Sequence, residues 1–450
     1  MCHVVGATGS VISVPSSQLA AHRSQGDYPT QLSVSATASA VQDSVHFTRI
    51  GDALAVARAG RLARSELTSA ACPITISVAA GLVRGDAAPN ADPTLEHFPI
   101  IIDVPAIAVV GAMKMQVDAS GRALGTAEGA IATTMSPINP LPIVGGTSSQ
   151  TGASVPIFMV NGHPGGSAGN EVTIQGFILR SGHEGIDTIP GGQGVQSMRV
   201  SGLAVRGNKF EAFFTEAIDL RASSATVDVN HLSGSSGACD LCVAGPGDYK
   251  ITGNRLLAGG IPGILIVPAL ILPVVSDVEQ FTLPTASTVT ASVSNNEVRD
   301  HLRKPVGVGV RVGAVGIGAP NVAGHSVVTI ANNALTNNNF AIILDAAFPV
   351  ATSTLRGDID VTLSQNVLQL SCQVDLLVSF SRHTTALGLA NAAYLKGSTY
   401  ALTLNGNTSW ANAWFSDPTG FSNTLMVDGQ AIPNGARATY DAKRTCPPLP

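Results

Sequence analysis

Between residues 200 and 410 one pattern recurs: a short run in which apolar, often β-branched residues alternate with polar ones, ending on asparagine. The copies are Leu203-Ala-Val-Arg-Gly-Asn208, Ala225-Thr-Val-Asp-Val-Asn230, Asp248-Tyr-Lys-Ile-Thr-Gly-Asn254, Val289-Thr-Ala-Ser-Val-Ser-Asn-Asn296, Val327-Val-Thr-Ile-Ala-Asn-Asn333, Ile359-Asp-Val-Thr-Leu-Ser-Gln-Asn366 and Tyr400-Ala-Leu-Thr-Leu-Asn-Gly-Asn407. Alternation with period two predicts strands with one buried face. The terminal asparagines are 22, 24, 42, 37, 33 and 41 residues apart. Such a repeat is too small to bury an apolar face alone, so copies must stack, and the length variation falls in outer loops. The shortest spacing holds three strands of four or five residues with their turns, at about 3.3 Å per residue. The pattern therefore predicts an all-β chain, a right-handed parallel β-helix (solenoid).

Asparagine suits the corner between strands because it tolerates the left-handed conformation and its amide bonds nearby backbone. Stacked on successive rungs, these amides form a ladder. Glu171-Val-Thr-Ile-Gln-Gly176 repeats the phrase with glycine, which meets the same backbone demand.

Before the repeats, Ile50, Leu54 and Ala57 fall at helical spacing with Arg58, Arg61 and Arg64 off the stripe. An amphipathic helix over about 47–64 is expected to cap the open N-terminal end, which would otherwise expose core and strand edges. Residues 1–45 read as an arm or early strands, 46–410 as the β-helix, and 411–450 as a C-terminal cap and tail. Gly, Ser, Thr and Pro enrichment places long excursions at about 112–156 and 268–288, the kind of loops that wall a groove.

The succession of that helix, Ile74-Thr-Ile-Ser-Val-Ala-Ala-Gly81, Glu96-His-Phe-Pro-Ile100 and Ile107-Ala-Val-Val-Gly-Ala112 resembles the opening of the pectin-lyase-like DUF1565 family. The resemblance spans roughly residues 47–185 and implies the same β-helical fold. It implies no single activity, because the fold carries lyases, hydrolases, epimerases, adhesins and inert scaffolds.

Composition agrees with stacked sheets: 45% hydrophobic but only 4% aromatic, with 47 glycines, which suits a narrow interior with little room for rings. The net charge of −5 and scattered lysines and arginines argue against nucleic acid as a partner. The most apolar stretch, residues 261–275, is broken by prolines and too short to span a membrane. No signal peptide is visible at the start, although a secreted or cell-surface setting suits the fold. Six dispersed cysteines predict no disulfide framework. Cys239-Asp-Leu-Cys242 has redox or metal spacing, but on a strand residues three apart point to opposite faces, so these two are expected neither to bridge nor to share a metal.

Chemistry is sought on the second strand of each rung. Aligning Ile218-Asp-Leu-Arg221 with Cys239-Asp-Leu-Cys242 places Asp219 and Asp240 on neighbouring rungs of the outer face, with Arg221 and Arg311 on the same sheet. Two close carboxylates have the pairing used in glycoside cleavage; alternatively they hold calcium while an arginine takes the proton in β-elimination. His231, just past Asn230, is a proton carrier if it lies near Asp240, and otherwise a turn residue. The bland alternative makes these aspartates solvated surface groups in weak bridges. Asp300-His301-Leu-Arg303-Lys304 reads as a solvated loop, and His183-Glu184-x-x-Asp187 lacks a third nearby ligand. The chain contains no Asn-Thr-Asp strand, Asp-Asp pair or His-Gly followed by Arg-Ile-Lys of the active pectin-lyase-like enzymes.

These residues lead to a carbohydrate-interacting protein, with a polysaccharide lyase or glycoside hydrolase as its specific form and a polysaccharide or cell-surface glycan as partner. The competing expectation is a structural or adhesive solenoid that self-associates. Few aromatics for sugar stacking favour the latter.

Overall fold

The computed structural model describes residues 1–432 apart from segments 6–7, 26, 36–44, 63–71, 87–91, 93, 128–131, 138–142, 145–152, 162–170, 181–191, 212–215, 234–238, 259–261, 269–285, 303–306, 315–322, 347–355, 372–373, 381–394, 410–411 and 415–421. Three sheets of 14, 11 and 10 strands, parallel except for the final pair of the longest, make up the solenoid, and from Val195–Met198 to Thr424–Val427 successive strands in sequence fall in different sheets. One rung shows the plan: Ser224–Asp228 lies in the long sheet, His231–Ser233 in the 11-stranded sheet and Leu241–Ala244 in the 10-stranded sheet. The next rung, Gly247–Thr252, Arg255–Leu257 and Pro262–Val267, pairs with it in parallel: Val227 with Ile251, His231 with Arg255 and Leu241 with Ile264. This is the expected right-handed parallel β-helix.

The alternation does what it predicts. Val227, Ile251, Val293, Ile330 and Leu363 stack in the interior from the long sheet, Leu232, Leu256, Val298 and Leu335 from the second, and Ile218, Leu241, Ile264 and Val310 from the third. All belong to one continuous core.

Asparagines at the first corner form an unbroken ladder from Asn208 to Asn407. Each side-chain oxygen accepts both the backbone N–H and the side-chain amide of the preceding asparagine; Asn296 Oδ1, for example, accepts from Asn254 N at 2.9 Å and Asn254 Nδ2 at 3.0 Å. Each amide also donates to a backbone carbonyl of the rung before, as Asn296 does to Ile251 at 3.0 Å. The left-handed residue is not the asparagine itself, however. It is the one before: Gly207, Val229, Gly253, Asn295, Asn332, Gln365 and Gly406 all have φ between 54° and 66°. That turn residue swings the following asparagine inward, where its amide replaces water for otherwise orphaned corner groups. Gly176 is equivalent to Gly207 in this register, so the ladder position beside it is Phe177, whose N–H donates to Asn208 Oδ1 at 3.1 Å. The ladder starts there.

The cap helix spans Ile50–Leu62 and buries Ile50, Ala53, Leu54 and Ala57 against the first rung. Glu96 caps its N-terminus, accepting the N–H groups of Ile50 at 2.6 Å and Gly51 at 2.9 Å. Arg61, expected off the buried stripe, is buried; it donates to the Cys72 carbonyl and lies 5.8 Å from the Tyr28 ring centre. Arg64 lies outside the described residues. The N-terminal residues supply the hairpin Cys2–Val5 and Thr8–Val11, a helix at Leu19–Ser24, and the strand Gln31–Val34, which joins the long sheet. Cys2 is bonded to Cys72, a pairing that cysteine spacing did not indicate. Within 112–156, Thr133–Pro137 is a rung strand and Met115–Val117 with Ala123–Ala127 form a hairpin docked over the 11-stranded sheet. Among the described residues, no helix is long and apolar enough to cross a membrane.

Candidate functional site

The outward positions of the 10-stranded sheet carry the predicted groups, but in a different register. Ile218 pairs with Leu241 rather than Cys239, so Asp219 lies beside Cys242. Asp240 precedes the strand, two residues away, and the stacked Asp219–Asp240 pair does not form. Three consecutive apolar-compatible residues, Cys239, Leu241 and Val243, share one parity, so the motif fits equally well when slid by two. The calcium pair and the acid–base pair read from those two aspartates fall with it.

Asp219 instead gathers a cluster of its own. Its Oδ2 accepts from Arg221 Nε at 2.7 Å and a second guanidinium nitrogen at 2.5 Å, from Gln193 Nε2 at 2.9 Å and from Gln196 Nε2 at 3.2 Å. Gln193 Nε2 also donates to Glu216 Oε2 at 2.8 Å. One amide nitrogen thus holds two carboxylates, so their oxygens are separated by less than the sum of those two bonds. Burial disfavours the charge on Arg221, but Asp219, and then Glu216, outweigh it and raise its pKa. Asp219 Oδ1 and Gln193 Oε1 are buried without a hydrogen-bond partner. The cluster is far from a solvated surface: Asp219 is 1% and Glu216 7% exposed. Behind it, Ser223 Oγ donates to the Arg221 carbonyl at 2.8 Å and Tyr249 accepts the Ser223 N–H at 2.9 Å. Burial raises the Tyr249 pKa.

Cys239 and Cys242 are joined, contrary to expectation, and both sulfurs lie within 4.8 Å of the Glu216 carboxylate. Face alternation fails here because Cys239 sits in the turn before the strand, which opens only at Leu241.

Asp240 has a different partner. It is fully buried and its Oδ2 is 2.8 Å from His301 Nε2, also fully buried, two rungs along. His301 therefore does not belong to a solvated loop. Gly263, on the rung between, leaves the passage open: a Cβ there would lie 3.0 Å from His301 Nε2 and 2.5 Å from Val298. His231 lies in the 11-stranded sheet, paired in register with Lys209 and Arg255, and contacts neither aspartate. Burial, then Lys209 and Arg255, depress its pKa to about 4. The hairpin glycine Gly125 packs on its ring, where a Cβ would come within 2.4 Å.

Arg311 shares the outward face with Asp219 and makes a two-bond pair with Asp345, at 3.1 and 2.8 Å, both side chains buried. Around it the outward face is apolar: Val308, Phe340, Ile343, Val374 and Leu377 form one cluster, and Cys239, Cys242, Ala244, Leu265 and Val267 another. His183, Glu184 and Asp187 lie outside the described residues.

Sequence reasoning thus missed Gln193 and Glu216 and read His301 as part of a solvated loop. Glu216 lies three residues before Asp219, a spacing readable in the sequence, but only a turn entering the strand brings both to one face.

No family model matches the chain, and no curated protein is significantly similar to it. Solved structures similar to it include the A-module of the mannuronan C-5 epimerase of Azotobacter vinelandii, with 14% identity and a TM-score of 0.36 over 79% of this chain and 86% of that one. The DFA-IIIase of Arthrobacter chlorophenolicus A6 gives 15% identity and 0.39 over 83% and 94%. An exopolygalacturonase of Thermotoga maritima gives 11% and 0.38 over 92% and 97%. Likenesses at these scores carry no argument about this chain.

Proposed function

We propose that the protein interacts with carbohydrate and cleaves a glycosidic bond through Glu216 and Asp219. The observation behind this reading is the single Gln193 amide that holds both carboxylates, beside a guanidinium bonded to Asp219. The shared nitrogen keeps the two carboxylates close together, as the mechanism requires in which one carboxylate attacks the sugar and the other protonates the leaving oxygen. Arg221 pairs with Asp219 through two guanidinium nitrogens and orients its carboxylate, which suits Asp219 as nucleophile or base. Glu216, which accepts from the Gln193 amide, is the other carboxylate of the proposed pair.

The test is turnover on polyuronates and neutral glycans, followed by reducing-end release and by absorbance of unsaturated products. E216Q and D219N are each expected to lose at least about a hundredfold in rate. Full activity in both variants refutes the assignment. A second reading, a non-catalytic structural or adhesive solenoid, is favoured by the two dry apolar clusters on the same outward face. Neither cleavage nor glycan binding by the wild type would decide for it.

A further inference from the structure

We propose that His3, His22 and Asp27 form a binding site for a divalent transition-metal ion of the zinc class. The three residues come from separate places in the N-terminal arm: the strand Cys2–Val5, the helix Leu19–Ser24 and the segment leading into Tyr28. Their placement is set by backbone and covalent links. Cys2 is bonded to Cys72, and Cys2 and Tyr28 exchange N–H to carbonyl bonds at 2.7 and 3.3 Å. The Asp27 N–H donates to the His22 carbonyl at 3.1 Å.

Both histidines present the same ring nitrogen to the same carboxylate oxygen: His3 Nδ1 lies 3.0 Å and His22 Nδ1 2.6 Å from Asp27 Oδ2. The three ligand atoms lie within 4.8 Å of one another. In a tetrahedral site with metal–ligand bonds of about 2.0–2.1 Å, neighbouring ligand atoms are roughly 3.3 Å apart. Reaching that spacing takes an opening of about 0.3 Å between His3 and Asp27 and about 0.7 Å between His22 and Asp27, while the two imidazole nitrogens already lie within 4.8 Å of each other. The rings meet edge to face with centres 6.1 Å apart, so they converge on one point without stacking.

Two imidazoles and one carboxylate suit a borderline ion rather than calcium, which prefers oxygen alone. The Asp27 side chain is 1% exposed, whereas those of His3 and His22 are 37% and 23% exposed. The anionic ligand is thus held rigidly while the imidazoles give access and leave the fourth position to solvent. On binding, each neutral ring carries its proton on Nε2, and the ion replaces the two N–H bonds to Asp27. It would tie the hairpin, the helix and the Tyr28 bridge at the end of the chain that the Cys2–Cys72 bond already anchors.

The test uses the full oxidised chain titrated with Co²⁺, read by its visible absorption, then Zn²⁺ in competition with metal analysis after gel filtration. One ion per chain and a raised thermal midpoint are expected. H3Q and H22Q should each weaken binding at least about tenfold, equivalent to 1.4 kcal/mol. A C239S/C242S variant should bind as the wild type does, which separates this site from the cysteines near Glu216. No stoichiometric ion on the wild type, or undiminished binding by H3Q and H22Q, overturns the proposal. Should either variant fail to fold, Zn²⁺ protection of His3 and His22 from diethylpyrocarbonate in the wild type is expected, and lack of protection overturns it.

Discussion

Replacing Asn296 with alanine tests whether the amide ladder holds the corner of the solenoid. Its side chain makes five hydrogen bonds: it accepts from Asn254 N and Nδ2 at 2.9 and 3.0 Å, and donates to Ile251 O, Ser294 O and Asn333 Oδ1, each at 3.0 Å. It is fully buried, so water does not replace those partners. The Asn254 N–H loses its acceptor, at about 1–3 kcal/mol, and the other four bonds contribute about 0.5–1.5 kcal/mol each. Even the lower ends of those ranges give a loss of about 3 kcal/mol. The terminal ladder residue is the internal control. Asn407 is half-buried and makes three such bonds, so N407A is expected to cost only about 1 kcal/mol. Urea unfolding followed by circular dichroism measures both losses, and hydrogen exchange at Asn254 N–H reads the local one. Because a solenoid's stability is shared between neighbouring rungs, the exchange change should concentrate near Asn254. Its rate should rise roughly a hundredfold, at about 1.4 kcal/mol per factor of ten. Equal losses in N296A and N407A, or unchanged exchange at Asn254, would refute the argument that buried amides, and not the strands alone, define the corner.

G263A should lower stability by about 1–3 kcal/mol, because its Cβ meets Val298 and His301 where the Asp240–His301 contact passes; a thermal midpoint equal to wild type would show that the rung has slack. V229G should raise stability by about 1 kcal/mol, since Val229 holds φ 56°, a conformation that costs a β-branched residue and that Gly207 and Gly253 adopt freely on adjacent rungs; thermal unfolding reads the sign. His231 makes the protein acid-sensitive. Its folded pKa of about 4 lies below the unfolded value near 6.5, so the neutral ring's contribution is complete above about 6.5 and is lost as pH falls toward 4. The span corresponds to about 2–3 kcal/mol, and H231Q should show a correspondingly smaller stability difference between pH 7 and pH 4.5.

The interior was legible along the chain because it depends on period two alone. Val227, Ile251, Val293 and Ile330 stand at positions that alternation identifies without any knowledge of partners, and stacking them is the only way such short strands bury an apolar face. The asparagines likewise announced a ladder, although the left-handed turn belongs to the residue before each. The outward face was less readable. Solvent normally enforces polar residues there, and a face that is itself covered loses that signal; Leu265, Phe340 and Leu377 are buried outside the core as thoroughly as the valines within it.

Local spacing accounts for the periodic part of the molecule: strands, rungs, a cap helix and the corner that repeats between them. Register and partners depend instead on how the rungs pack against one another. A slide of two residues preserves every inward and outward position of Cys239-Asp-Leu-Cys242, yet it separates Asp219 from Asp240, and Asp219 is instead held by Gln193 of the preceding rung and by Arg221 of its own strand. The reason is physical: alternation is invariant to a two-residue shift, whereas a buried charge is not, and each buried carboxylate here lies where a donor from another rung or turn meets it.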